Sequence, residues 1–376
     1  MSIDRPDSRR RVRIQGTMAD AQITERQAMV LRALVSAYIG QAGPVASTAL
    51  SHLTSKPLSP ASIRNTLGEL HEAGLIDKAH ASAGRVPTSD GLRLYVDHLL
   101  ELGDLGPHQQ RLLDREFEGF DAGETPKQAS QLLSDHTRQL GFVVAPRVEH
   151  LRLRTIHLVP VAERRVLAVL VAENGGMIER VIDVAVPISR RELEKVREHL
   201  AERIEGRTLV GLRRFLEDER VRLRGEADDL MRRSWSLGLR ACEVSNVSVE
   251  EDLVVATRLA LLDQPEFSDP ERIRGLFGAL ETNQRLLELL QRIAQADRGE
   301  MGVGLSMSLG AELGEPSLRD CVLVAVPYGA TGVSGEPDEG IPLGVLGVIG
   351  PQRMDYGRVI PLVHYCSEIV TRKLLA

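Results

Sequence analysis

Aromatic residues are scarce in this chain of 376 residues: 3% in all, with a single Trp. Any core must therefore be built from Leu, Val, Ile and Ala. Cysteine is nearly absent as well. Cys242, Cys321 and Cys366 are odd in number, far apart and without a C-x-x-C pair. That argues against a disulfide framework or a structural zinc site, and it suits a reducing cytoplasm. No stretch approaches the roughly 18 consecutive apolar residues of a membrane helix. The arginines near the N-terminus have no apolar segment or small-residue cleavage site behind them, so they do not make a secretory signal.

Catalytic signatures are missing too. The sequence has no H-E-x-x-H, no G-x-x-x-x-G-K-[ST] and no G-x-S-x-G, which removes the common zinc protease, phosphate-loop and nucleophile-elbow chemistries. Gly302, Gly304 and Gly310 form a glycine-rich stretch without the Lys-Ser/Thr that a phosphate loop needs. The ten His residues are scattered. His157 and His364 sit in apolar contexts that suit core imidazoles better than metal ligands. No enzyme, cofactor or metal is expected.

What is present is the balance of a globular protein, 43% hydrophobic and 27% charged, with a net charge of −6. The charge is uneven: 12 basic against 10 acidic residues over 1–102, and 35 against 43 in the remainder. That split permits a nucleic-acid module at the front without demanding one. Residues 1–22, with Arg5, Arg9, Arg10, Arg11 and Arg13, read as a disordered basic leader. It is either a solvated tail, an over-long start ahead of Met18, or a phosphate-binding arm.

Order begins at Ile23. Thr24 and Gln27 have capping-box spacing, with Ile23 and Ala28 as a staple. Val30-Leu31, Leu34-Val35 and Tyr38-Ile39 then form an amphipathic stripe that ends at Gly40 and Gly43-Pro44. A short second helix is expected with Ser47 as cap and Leu50 and Leu53 facing inward. A third opens with Ser59 as cap and Pro60 at its first position, buries Ile63, Leu67 and Leu70, and stops at Gly74. A hairpin follows, with strands around Leu75-Ile76 and Val86-Pro87 and an exposed tip, and then a fourth helix over residues 89–102. Three helices, a hairpin and a closing helix describe a winged helix-turn-helix.

Beyond Gly103 the style changes. Residues 107–140 are polar and helical, and residues 141–186 alternate strand runs with turns. From Ser189 to about Ala296 the chain is almost wholly helical. Strand signals return at 321–326 and 343–349, before a last helix over 359–375. This pattern reads as one α+β domain carrying an inserted helical module. The Glu-Arg runs at 190–203 and 217–224 suit solvated or paired faces of long helices, which commonly pack on a symmetry mate.

The third helix is the informative element. With Ile63, Leu67 and Leu70 turned inward, Ala61, Arg64, Asn65 and Gly68 point outward and Ser62 lies at the edge. Small residues let such a helix enter a major groove closely. There Arg can donate twice to guanine and Asn can pair with adenine. His80, Ser82 and Arg85 around Gly84 supply donors for phosphate or minor-groove contact. The alternative is a protein–protein module with solvated polar residues.

These residues carry a resemblance. Gly43-Pro44-Val45-Ala46-Ser47, Leu58-Ser59-Pro60-Ala61-Ser62-Ile63-Arg64-Asn65, His80-Ala81-Ser82-Ala83-Gly84-Arg85-Val86-Pro87-Thr88 and Tyr95-Val96-Asp97 resemble the bacterial heat-inducible transcription repressor HrcA family. Gly347-Val348-Ile349-Gly350-Pro351 and Arg353-Met354-Asp355-Tyr356 resemble its C-terminal signature. The resemblance implies an α+β multidomain protein. A winged helix would occupy residues 23–103, a GAF-like domain 104–192 and 266–376, and an inserted dimerising domain 193–265. It also implies a cytoplasmic homodimer on double-stranded DNA, binding the inverted-repeat operator called CIRCE upstream of chaperone operons. The GroE chaperonin would keep it active, and no cofactor would be needed.

DNA contacts would fall to Ser47, Ser59, Ser62, Arg64, Asn65, His80, Ser82, Gly84 and Arg85. Arg64 and Asn65 would read bases, while Ser47, Ser62, Ser82 and Arg85 would hold phosphates or line the minor groove. Ala46, Thr48, Pro60, Ala79 and Ala81 depart from the family pattern. An alternative function is a GAF-like regulator that senses a small molecule, with its pocket in a sheet formed by residues 141–186 and 321–349.

Overall fold

The computed structural model describes residues 14–15, 23–41, 43–54, 58–79, 84–120, 124–144, 152–173, 177–222, 229–242, 253–256, 264–267, 269–282, 288–290, 305–313, 316–329 and 342–375. The described residues form a mixed α/β protein with three separate sheets. Within the leader, Ile14–Gln15 form a two-residue strand, β1, which pairs parallel with Leu305 and Ser306. At these two positions an ordered edge strand replaces the expected disorder.

The N-terminal module starts with α1 (Glu25–Gln41). Its capping box is reciprocal: Thr24 N donates to Gln27 Oε1 at 2.8 Å, and Gln27 N donates to Thr24 Oγ1 at 3.3 Å. The next helix, α2 (Ser47–Leu50), departs from expectation. Its cap position is Ala46, which offers no side-chain bond, and Ser47 is already inside the helix. Leu50 is buried but Leu53 is 52% exposed. The helix ends at Leu50, so the helical spacing that was to turn Leu53 inward does not continue.

In α3 (Pro60–Glu72) the expected start holds, with Ser59 Oγ accepting from Ser62 N at 3.1 Å. Gly74 closes the helix with φ +72°, a conformation that costs glycine little. Strands β2 (Ile76–Lys78) and β3 (Arg85–Pro87) pair antiparallel. Thr88 then joins them to α4 (Ser89–Leu94) by accepting from Gly91 N at 3.1 Å and donating to Gly74 O at 2.7 Å. The expected single helix over 89–102 instead becomes a π-wound turn at Tyr95–Leu99, where Leu100 N donates to Tyr95 O at 2.7 Å. The wider turn buries Tyr95, Val96 and Leu99 together.

Two helices, α5 (Pro107–Phe117) and α6 (Thr125–Thr137), lead to β4 (Leu140–Val144). The chain then leaves the main sheet. Strands β5 (Leu153–Ala162), β6 (Arg165–Ala172) and β7 (Met177–Asp183) form a three-stranded antiparallel meander. Helices α7 (Arg190–Ile204), α8 (Leu209–Arg222) and α9 (Asp229–Ala241) follow. Leu153, Ile156, Ala168 and Leu170 share one core with Leu193, Val196, Leu200, Leu212 and Leu237. Strands β5–β7 and helices α7–α9 are therefore a single unit.

The chain returns to the main sheet at β8 (Leu253–Val255), beside β4. After α10 (Pro270–Thr282) come β9 (Leu305–Leu309), β10 (Cys321–Tyr328), β11 (Gly344–Pro351) and α11 (Tyr356–Leu375). The sheet order is β1-β9-β10-β11-β4-β8, antiparallel except for β1 with β9. Residues alternate between two faces. Val322, Val324 and Leu346 join the core formed with α6, α11 and the N-terminal module. Leu323, Ala325 and Val345 join Leu276 and Phe277 of α10 on the other face. At Gly347 an added Cβ would lie 2.1 Å from Val324 O, so the strands approach there only because the residue is glycine.

This partition differs from the expected one. The sequence pattern puts a helical insert at 193–265 and the strands through Val186 in the same sheet as 321–349. Instead, the inserted unit brings its own sheet, and residues 253–255, inside the expected insert, belong to the main one. Among the described residues, no helix is long and apolar enough to cross a membrane.

Candidate nucleic-acid interface

The N-terminal module presents one face of α3 and one edge of its hairpin together. Ile63, Leu67 and Leu70 are buried as their spacing requires, which leaves Ala61, Arg64 and Asn65 exposed and Ser62 and Gly68 half-exposed. Apart from its own helix backbone and chain neighbours, nothing lies within 4 Å of where a Cβ on Gly68 would sit, so the middle of this face is shallow and open. Arg64 Nε donates to Pro60 O at 3.3 Å, leaving the rest of its guanidinium on the surface. Asn65, one position on, is also exposed.

The serines divide. Ser59 is exposed, but its Oγ is occupied as the helix cap. Ser62 contributes its amide to that cap and keeps a half-exposed side chain. Ser47 is half-buried in the first turn of α2.

The hairpin is fastened to the helices by a backbone contact with the segment before α2, which no local pattern in the sequence announces. Val45 N donates to Arg85 O, and Arg85 N to Val45 O, both at 2.8 Å. Residue 45 thus acts as a one-residue third strand. Gly84 makes this possible, since a Cβ there would fall 2.4 Å from Val45 O. Arg85 is half-buried, and its Nε is shielded without a hydrogen-bond partner. His80 and Ser82, at the expected hairpin tip, lie outside the described residues.

A second unforeseen group is Arg26 of α1. It pairs with Glu69 of α3 at 2.9 Å, and Gln27 Nε2 donates to the same carboxylate at 3.1 Å. The acid on α3 is thereby neutralised beside a face that carries Arg64, which keeps that face favourable to a polyanion. A polar residue on the inner side was also missed: Thr66 is buried, and its hydroxyl has no partner. Alternate polar and apolar letters gave no hint that Thr66 faces inward.

The core of this module runs on into the main sheet. Leu92, Tyr95 and Val96 share a cluster with Met354, Tyr356 and Val359. The motif around 353–356 therefore works at this seam. Tyr356 OH donates to Gln352 O at 2.6 Å, while Arg353 pairs with Glu266 and donates to Gln264 Oε1 at 2.8 Å.

Fold and surface together define the class: a multidomain α+β protein with a helical N-terminal module set on a six-stranded sheet that carries an inserted sheet-and-helix unit. Comparison with known proteins narrows this. Residues 124–360 match the family described as HrcA protein C terminal domain. Over 355 residues the chain is 36% identical to the heat-inducible transcription repressor HrcA of Sorangium cellulosum, covering 93% of this chain and 97% of that one. The repressor of the same name from Xanthomonas euvesicatoria pv. vesicatoria is 36% identical over 346 residues, 92% of this chain and 94% of that one. That from Nitratidesulfovibrio vulgaris (strain DSM 19637 / Miyazaki F) is 35% identical over 351 residues, 93% and 95%. The chain belongs to the HrcA family of heat-inducible transcription repressors. A crystal structure of a hypothetical protein at 2.2 Å shares the fold, with a TM-score of 0.56 and 23% identity over 94% of this chain and 99% of that one.

Proposed function

We propose that the chain represses chaperone operons by binding an inverted-repeat operator of the CIRCE type, with residues 23–103 acting as a winged helix-turn-helix. The observation that carries this reading is the exposed pair Arg64 and Asn65 on the open face of α3, beside a hairpin edge held by Val45 and Arg85. In a major groove Arg64 would read guanine and Asn65 adenine. Ser62 would meet phosphate. Ser47 would approach the backbone from α2, and Ser59 would act mainly as the cap that aims the helix. Arg85 with Gly84, and His80 and Ser82 at the tip, would follow the phosphates or the minor groove as the wing.

Reading both halves of an inverted repeat calls for a homodimer. A surface supports one. The face of β5–β7 turned away from α7–α9 carries Val159 at 44% exposed, Val181 at 53% and Met177 at 65%. Leu167 pairs with both Val159 and Val181 and completes an apolar row. A second copy would cover that face. Within this proposal the main-sheet domain is GAF-like, the protein works in the cytoplasm without a cofactor, and the GroE chaperonin is the partner that sustains repression.

The test is a gel shift on an inverted-repeat chaperone-operon operator and on a scrambled duplex, with and without the chaperonin, across a salt series. Selective binding strengthened by chaperonin is the expected result. Equal, weak binding to both duplexes would overturn the operator reading. Selective binding indifferent to chaperonin would overturn the control step alone.

A further inference from the structure

The seam between the N-terminal module and the main sheet holds a buried arginine that no proposed DNA contact uses. Arg93 lies in α4, and its side chain is only 8% exposed. Its Nη1 donates to Met307 O of β9 at 2.7 Å, and its Nη2 donates to Glu312 Oε2 at 2.5 Å. The same carboxylate oxygen accepts from Leu309 N at 2.9 Å, so the anchor is fixed to the end of β9. A guanidinium cannot shed its proton, and it needs acceptors wherever its helix goes.

Four residues along the chain lies the second observation. Asp97 Oδ1 is buried and has no hydrogen-bond partner. Burial pushes its carboxyl up, and the nearby Arg93 charge pulls in the opposite direction. An orphaned buried carboxylate oxygen is costly and uncommon in a settled core. It sits in the π-wound turn Tyr95–Leu99, a backbone form that recurs where helices serve function. Residues spaced like Arg93 and Asp97 share a helix face.

We propose that Arg93 is a two-position latch that sets the pose of the N-terminal module: docked, it holds Met307 and Glu312; released from the sheet, it pairs with Asp97 on its own helical run. The docked pose leaves Asp97 Oδ1 without a partner. The released pose returns Glu312, already 53% exposed, to water. Release thus gives up the bonds to Met307 O and Glu312 and gains one to Asp97, an exchange of buried partners that small biases can tip. Arg93 is a positioning residue here. It fixes where α3 points relative to the rest of the molecule, and so the spacing between the recognition helices of a dimer.

The latch itself is tested on the full chain without DNA, by amide hydrogen exchange in residues 85–99 and 305–309. Glu312→Gln weakens the docked anchor from its solvent side and is expected to speed exchange there about tenfold. Asp97→Asn keeps the shape, removes the released-state partner and is expected to slow it. Unchanged exchange in Glu312→Gln, or equal or faster exchange in Asp97→Asn, overturns the latch. The positioning role rests on the operator reading and has its own readout. Glu312→Gln should weaken binding to the intact inverted repeat by about tenfold while leaving a single half-site unaffected. Equal loss on both probes overturns positioning. Failure of the wild type to select the operator at all counts against the operator reading, and the exchange result still stands.

Discussion

In the six-stranded sheet every residue of β10 and β11 is buried, whereas along β6 of the three-stranded sheet buried residues alternate with exposed or half-exposed ones. The first sheet is covered on both faces, by α6 and α11 on one side and α10 on the other. The second is covered on one face only, and its open face is apolar where Val159, Leu167 and Val181 line up. A sheet covered twice draws its stability from its own chain. A sheet covered once, with an apolar outer face, is completed by something else.

That contrast can be broken most sharply by truncating a side chain at the centre of the main sheet. Leu323→Ala empties a fully buried position packed against α10 and is expected to cost about 2–5 kcal/mol, visible as a lowered melting temperature. A change on the open face should behave differently. Val181→Lys is expected to leave the protomer's stability within about 0.5 kcal/mol while converting the proposed dimer to monomer in sedimentation. If the two variants lost stability equally, the distinction between the sheets would fail.

The seam between the N-terminal module and the main sheet sharpens the comparison through pH. Asp97 is held above the ordinary carboxylate range by burial, against the opposing charges of Arg93 and His98 and with Glu312 adding to the rise. Arg32 reaches the same turn from α1, through Leu99 O at 3.2 Å. A raised acid favours the folded state most below the unfolded carboxyl's pKa, and that contribution is lost as pH rises through the folded value. Asp97→Asn should therefore stabilise the protein at pH 7, with the gain shrinking as the medium is acidified. Thermal unfolding of both proteins across pH 4–8 (a span of roughly the carboxyl-to-neutral range) reads the difference directly. The smallest effect belongs to the surface: Arg26→Ala breaks a half-exposed ion pair and is expected to cost about 0.2–1 kcal/mol.

Much of the N-terminal module was legible because its signals are local. The Thr24–Gln27 box, Pro60 behind Ser59, the stripe Ile63-Leu67-Leu70 and Gly74 each dictate structure within a turn. Local signals also misled. Ser47 has the chemistry of a cap, yet the chain places Ala46 there. Leu53 has helical spacing in a helix that has already ended.

The partition of the strands was read wrongly, although its signal was in the sequence. The strands of the inserted unit carry Arg154, His157 and Glu179 among their apolar residues, the mark of a face that their own chain leaves uncovered. The run Cys321-Val322-Leu323-Val324-Ala325-Val326 carries no charge at all, the mark of two dry ones. Contacts that join distant residues left no such trace. Arg93 with Glu312, Arg26 with Glu69 and Val45 with Arg85 depend on tertiary packing, which no local pattern encodes.

Sequence reading by the outer face of α3 is the proposal on which operator selection rests. It is tested most directly by the double variant Arg64→Ala, Asn65→Ala in a gel-shift series on the operator and on operators altered one base pair at a time. The variant is expected to lose roughly 1–3 kcal/mol for each base pair it no longer reads and to tolerate substitutions at those pairs. A variant that binds the operator and discriminates against altered ones just as the parent does would contradict the account.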